Sequence, residues 1–154
     1  CMEADWYDIG LRDGMKGYKR ARLDSHREAC SEHGINPDRR AYYLGRDEGL
    51  ARYCTPQNAL QQGKQNQYYR QVCPPEIERV FLIAFEIGKE IYRVENDIRK
   101  TETNIDKKEQ ELDKAGKNDK LRRQLREEIR ELDRELRLLR MERDHLYEQQ
   151  KPYL

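Results

Sequence analysis

The chain has 154 residues, of which 40% are charged and 36% belong to the hydrophobic set, and this length is typical of one or two small domains. Because 31 basic side chains are balanced by 30 acidic ones, the composition favours long solvated helices and excludes a strongly basic nucleic-acid binder. No stretch approaches the roughly 18 consecutive apolar residues that a membrane-spanning helix needs.

The first half of the chain, residues 1–75, is rich in glycine, tyrosine and cysteine, and we interpret it as a small helical head. Capping signals predict three helices, which would begin near Asp24 or Ser25, at Asn36-Pro37 and at Thr55-Pro56. No segment has the alternation of a strand, and residues 66–75 read as a loop packed by its tyrosines.

The glycine positions show a weakly repeated sequence pattern. An aromatic residue stands three positions before a glycine in Tyr7-Gly10, Tyr42-Gly45 and Phe85-Gly88, and Leu60-Gly63 is a poorer copy. A glycine in a helix interior lowers helix stability by about 1 kcal/mol relative to alanine. The repeated glycines therefore predict tight helix packing that offsets this loss. The spacing matches no phosphate-binding glycine loop.

The four cysteines are Cys1, Cys30, Cys54 and Cys73. An even number in a module with few aliphatic residues predicts two disulfides. Three pairings are possible, and we favour the sequential one, Cys1 with Cys30 and Cys54 with Cys73. The alternative use is a zinc site, because His26, Cys30 and His33 share one helix face. No Cys-x-x-Cys accompanies them, and we expect no metal or other cofactor.

The second half, residues 76–154, begins after Pro74-Pro75 and predicts two helices joined by a turn near 114–119, which we call the arm. Apolar residues there fall mainly at heptad intervals, in two sets: Ile87, Ile91, Val94, Ile98, Ile105 and Leu112, then Leu121, Leu125, Ile129, Leu132, Leu136, Leu139 and Leu146. Thr101, Lys108 and Arg143 occupy the remaining seam positions.

Folding the second set back on the first matches the two sets layer by layer, for example Ile98 with Leu136. We therefore predict an all-α protein in which a small disulfide-stapled helical head is followed by a long antiparallel coiled-coil hairpin. Asp119 is expected to cap the second helix. A single uninterrupted helix is the alternative, but Gly116 and Asn118 would weaken its middle.

Residues 1–92 contain an ordered string of motifs: Asp5-Trp6, Gly10, Asp13-Gly14, Gly17, His26-Arg27, Cys30, Gly34, Pro37-Asp38, Tyr42, Gly45-Arg46, Gly49-Leu50, Tyr53-Cys54, Gly63, Tyr69 and Val72-Cys73-Pro74. This string resembles the bacterial family called domain of unknown function 2799. Members look like small envelope lipoproteins of Gram-negative bacteria, with a lipid anchor upstream of such a segment. Cys1 matches the family cysteine before the Asp-Trp pair, so the resemblance implies a disulfide for it rather than acylation.

The resemblance brings no activity with it, and no catalytic constellation is visible. We expect a non-enzymatic structural or interaction protein of the periplasm or outer membrane. A more specific form of this expectation is an accessory subunit of a larger envelope complex. An enzyme or a zinc protein using His26, Cys30 and His33 is the alternative. The expected partner is another envelope protein or a second copy, not nucleic acid. Its contacts are expected at Lys114, Lys117, Asn118 and Leu138.

Overall fold

The computed structural model describes Cys1 and residues 3–154. Its elements are α1 (Trp6–Met15), α2 (Arg22–Ser31), α3 (Arg39–Tyr53), α4 (Pro56–Lys64), α5 (Pro75–Lys114) and α6 (Asp119–Gln150), followed by a short 3-10 helix at Lys151–Tyr153. These residues contain no β-strand, so the all-α prediction is confirmed. None of the described helices is both long and apolar enough to cross a membrane.

The start of α4 agrees with the sequence prediction, because the Thr55 hydroxyl accepts a hydrogen bond from the Asn58 amide at 3.2 Å. The predicted starts of α2 and α3 are wrong. α3 is capped by Asp38 rather than Asn36, since the Asp38 carboxylate accepts a hydrogen bond from the Ala41 amide at 3.0 Å. α2 begins before its predicted caps and has no side-chain cap, and the Cys1–Cys30 disulfide and the His26–Asp13 contact attach it to the rest of the head.

The cap of α6 also differs from the prediction. The side-chain oxygen of Asn118, not of Asp119, accepts the hydrogen bond of the Leu121 amide at 3.1 Å. Gly116 stands between α5 and α6 with φ at +58°, a left-handed conformation that glycine adopts without strain. The two helices are therefore separated by a short turn at residues 115–118, within the predicted range.

Helices α1 and α3 touch through their backbones. Their contact, which we call the first glycine crossing, contains Gly10, Gly14, Gly45 and Gly49. A Cβ atom on Gly10 would lie 2.0 Å from the carbonyl oxygen of Tyr42, and one on Gly45 would lie 1.9 Å from that of Tyr7. Each glycine Cα–H is thus directed at a carbonyl of the other helix, a weak but reciprocal contact.

Helices α4 and α5 repeat this arrangement in the second glycine crossing, formed by Gly63 and Gly88. A Cβ atom on Gly63 would lie 2.2 Å from the carbonyl oxygen of Phe85, and one on Gly88 would lie 2.3 Å from that of Leu60. This contact explains the repeated sequence pattern. The residue three positions before each of these glycines supplies the carbonyl oxygen that lies against the glycine of the partner helix. Leu60-Gly63 is the counterpart of Phe85-Gly88.

Two disulfides secure the head, Cys1 with Cys30 and Cys54 with Cys73, each with its Cα atoms 5.6 Å apart. The second disulfide is buried beside an aromatic cluster in which the rings of Tyr69 and Phe81 lie 4.8 Å apart. The hydrophobic core does not stop at residue 75, because it continues from α4 along α5.

Helix α6 runs back along α5. Near the turn, Lys108 forms an ion pair with Glu128 at 2.8 Å, and at the far end Tyr147 donates a hydrogen bond to Glu95 at 2.5 Å. Four apolar residues of the α5 set, Ile91, Val94, Ile98 and Ile105, are buried, as is Thr101, while Ile87 and Leu112 are half-buried. Of the α6 set, Leu125, Leu136 and Leu146 are buried, while Leu121 beside the turn is exposed.

Candidate functional site

The four cysteines are not free to act as ligands or nucleophiles. All of them are in the two disulfides, in the sequential pairing that the sequence favoured. An intact Cys1–Cys30 disulfide leaves Cys30 no thiolate to donate to zinc. His33 lies exposed beyond the end of α2, and the described residues contain no group of three or more His, Cys, Asp or Glu side chains placed to hold a metal ion.

His26 instead belongs to a polar cluster that connects the first three helices. Its Nε2 lies 2.7 Å from a carboxylate oxygen of Asp13, and the same oxygen accepts a hydrogen bond from the Tyr42 hydroxyl at 2.8 Å. Asp13 is only 7% exposed and Tyr42 is fully buried. Burial, and then the hydrogen bond to Asp13, raise the pKa of Tyr42 above its ordinary value.

This cluster satisfies the polar atoms that packing of α1, α2 and α3 would otherwise leave without partners. Asp13 lies between Gly10 and Gly14 on the face of α1 that meets α3, so its carboxylate points into the contact rather than into solvent. Sequence reasoning found His26 but not this use of it. The available signal was a charged residue flanked by two glycines of one helix face.

The predicted partner-binding residues at the turn are accessible. Lys114 is the last residue of α5, Lys117 lies in the turn, and both are exposed. Asn118 is also exposed, but its side chain caps α6. It therefore stabilises the helix in addition to its predicted role in partner binding. Serine is a good cap as well, which makes Asn118→Ser a mild replacement.

Leu138 lies on the outer face of α6, where 66% of its surface is exposed. Met141, one helical turn further along the same face, is 68% exposed. The sequence analysis singled out Leu138 but missed Met141, although a spacing of three residues could have identified it. The two side chains form an apolar strip on a helix whose other outward residues are almost all charged.

A second apolar surface occupies the first turns of α5. Val80, Leu82 and Ile83 are exposed there. Leu82 also lines an open groove of about 650 Å³ between α5 and the loop before it, together with aromatic and charged residues such as Tyr68, Phe85 and Lys89. Apolar side chains outside the core are thus found both on the arm and where it meets the head.

These features describe a disulfide-stapled helical protein with exposed apolar side chains on its arm. Comparison with known families assigns it further: residues 5–90, more than half of the chain, match the sequence profile of the family described as Protein of unknown function (DUF2799). The protein belongs to this family. The match includes both glycine crossings and ends within α5. No curated protein and no solved structure gave a significant match to the chain.

Proposed function

We propose that this protein is a non-enzymatic interaction protein of the bacterial cell envelope, whose arm binds another envelope protein or a second copy. The observation that carries the proposal is the apolar strip of Leu138 and Met141, which faces solvent from a helix otherwise covered by charge. Leu138 and Met141 lie outside the hydrophobic core of the described residues. Burial against a partner would remove them from water.

The envelope location is supported by the two disulfides, since structural disulfides persist in oxidising compartments such as the periplasm. We further propose that a lipid anchor upstream of the head holds the protein at the outer membrane. With the head fixed in this way, the arm would project its turn and its strip away from the anchor. An accessory subunit of a larger envelope complex would use such a projection to reach its partner.

The arm is proposed to be an antiparallel coiled coil. Two cross-helix contacts support this proposal, because Arg140 lies 3.0 Å from Glu102 and Tyr147 contacts Glu95. In each of these contacts, both residues come directly after a seam position of their own helix. Polar and charged residues beside the seam of this kind are typical of a coiled coil.

The test is photo-crosslinking in intact cells. A photoreactive amino acid replaces Met141 in one strain and Glu109, an exposed charged residue of α5, in a control strain. We expect discrete crosslinked species from position 141 and much weaker ones from position 109. Sedimentation of the purified protein then distinguishes a second copy from another protein as the partner.

Two sets of substitutions determine which part of the arm makes the contact. Leu138→Glu with Met141→Glu is expected to abolish the crosslinks of a reporter at the turn. The matched control, Asn104→Glu with Gln110→Glu, adds the same charge at exposed positions of α5 and should preserve them. Replacing Lys114, Lys117 and Asn118 by Ser should weaken complex formation while folding stays intact. Complexes that survive both sets would make the arm a spacer and assign the contact to the head.

A further inference from the structure

A basic groove lies in the head, apart from the arm. It has a volume of about 430 Å³ and is formed where the α1–α2 connection, α3 and the segment before α5 meet. Its charged lining residues are Lys19, Arg20, Arg46, Asp47 and Arg70. Four cationic side chains therefore converge on one cavity that contains a single carboxylate.

Arg46 is the fixed centre of this groove. It is only 5% exposed, and its Nε and one terminal nitrogen donate hydrogen bonds of 3.0 and 2.8 Å to the carbonyl oxygen of Tyr18. The other terminal nitrogen lies 3.8 Å from a carboxylate oxygen of Asp47, too far for a hydrogen bond. Burial lowers the pKa of Arg46, although the neighbouring carboxylate of Asp47 acts in the opposite direction. A buried guanidinium in this state gains from an added negative charge.

Aromatic rings hold the more exposed cations in place. The guanidinium of Arg70 lies over the ring of Tyr18 at 4.8 Å, and that of Arg20 lies over the ring of Tyr43 at 4.8 Å. Such cation–π contacts restrict long side chains without neutralising them. The Cys54–Cys73 disulfide in turn fixes the segment that carries Arg70. The groove is thus assembled before any ligand arrives.

Most of the positive charge of this groove has no carboxylate beside it, because Asp47, which contacts Arg46, is the one acidic residue in its lining. Among the described residues, Lys19, Arg20 and Arg70 take part in no ion pair. In the arm, by contrast, Arg93 contacts three carboxylates at 2.6 to 3.5 Å. Four cations beside a single carboxylate repel one another at an electrostatic cost to the fold, which an anionic ligand would reduce.

We propose that this groove binds a phosphate group, supplied by a lipid headgroup or by a soluble phosphate compound. Phosphate offers several acceptor oxygens and up to two charges, which match guanidinium donors that approach from different walls of one cavity. A single carboxylate would leave most of the four cations unpaired. The site is independent of the arm strip, so the two proposals fail or succeed separately.

The experiment uses the full chain and two probes. Calorimetry with tripolyphosphate at low ionic strength measures the soluble source, with citrate as the carboxylate reference. Flotation with vesicles of phosphatidylcholine, with and without phosphatidylglycerol, measures the lipid source. We expect saturable binding of tripolyphosphate that is tighter than binding of citrate. Added binding to the phosphatidylglycerol vesicles would identify the lipid, and its absence would identify the soluble source.

Matched variants locate the site. Arg20→Gln with Arg70→Gln should weaken tripolyphosphate binding by about tenfold or more. The control, Arg126→Gln with Arg137→Gln, removes the same charge from exposed positions of the arm and should leave affinity within about twofold. Asp47→Asn removes the only carboxylate of the groove and should tighten binding about fivefold, whereas Asp113→Asn on the arm should not.

Circular dichroism of each variant confirms that the fold is retained, and Asp47→Asn keeps the test decisive because it predicts a gain that unfolding cannot produce. If the groove and arm double variants lost the same affinity for tripolyphosphate, binding would depend on the overall charge of the protein rather than on the groove. That result would overturn the proposal. So would an Asp47→Asn variant without tighter binding, or a wild-type protein that shows no saturable binding of tripolyphosphate.

Discussion

The two glycine crossings and the α5–α6 pair show two different ways of packing helices in one chain. In the crossings, backbone meets backbone, and the space beside Gly45 is smaller than a methyl group. Between α5 and α6, aliphatic side chains fill the contact and charged residues flank it. α5 takes part in both, because it carries Gly88 near its start and Ile98 further along.

The comparison indicates where each region is sensitive. A glycine crossing tolerates no added atom, but its surroundings can be polar, as the Asp13–His26 contact beside the first crossing shows. A side-chain seam tolerates changes of shape but not an unpaired charge. An added methyl group should therefore lower stability most at a glycine crossing, and an added charge should lower it most in the α5–α6 contact.

The largest effect is expected in the arm, from Leu136→Asp. Leu136 is 7% exposed, so the variant buries a carboxylate without a partner and loses apolar burial at the same time. We expect a loss of about 4 kcal/mol in unfolding free energy, measured by thermal and urea denaturation. Glu131→Lys, at an exposed position of the same helix, should change it by no more than about 0.5 kcal/mol. Similar losses from the two variants would contradict a buried seam.

Gly45→Ala should destabilise the head by about 3 kcal/mol, because its Cβ atom would lie 1.9 Å from the backbone oxygen of Tyr7 and no side-chain movement can relieve this. Gly34→Ala is the matched control. It has open space around it but a φ of +65°, so its cost is limited to backbone strain of about 1 kcal/mol. If Gly34→Ala proved the more harmful variant in urea denaturation, α1 and α3 would not be in backbone contact.

A smaller effect concerns the buried tyrosines, which distinguish the head from the aliphatic seam. Burial raises the pKa of Tyr69 to about 12, and its hydroxyl donates a hydrogen bond to Glu78 at 2.8 Å. The folded state thus holds the phenolic proton more tightly, and this stabilisation is complete below pH 10. It should be lost between about pH 10 and 12, with a magnitude of about 2 kcal/mol.

Unfolding free energies measured across that pH range should therefore fall less steeply for Tyr69→Phe than for the wild type. Tyr68→Phe, at the exposed neighbouring position, serves as the control and should keep the wild-type slope. An unchanged slope in Tyr69→Phe would show that ionisation of this hydroxyl is not linked to unfolding.

The amino-acid sequence by itself determined the helical class, the cap at Thr55, the presence of two disulfides and the family. These follow from local signals, because caps, cysteine number and motif order do not depend on how distant segments meet. It predicted less well where α2 and α3 begin. There the deciding capping bond is made by Asp38 rather than Asn36, and α2 has no side-chain cap but is attached through the Cys1–Cys30 disulfide and the His26–Asp13 contact.

Only the tertiary structure decided which elements are partners. The sequence contains the repeated glycine pattern but cannot tell that α1 pairs with α3, past the intervening α2, or that Leu60-Gly63 is the partner of Phe85-Gly88. The basic groove is a stronger case, since Arg20 and Arg70 come from segments far apart in the chain. Spacing along a helix encodes which face is buried, but the path of the chain sets which faces meet and which charges are left without a partner.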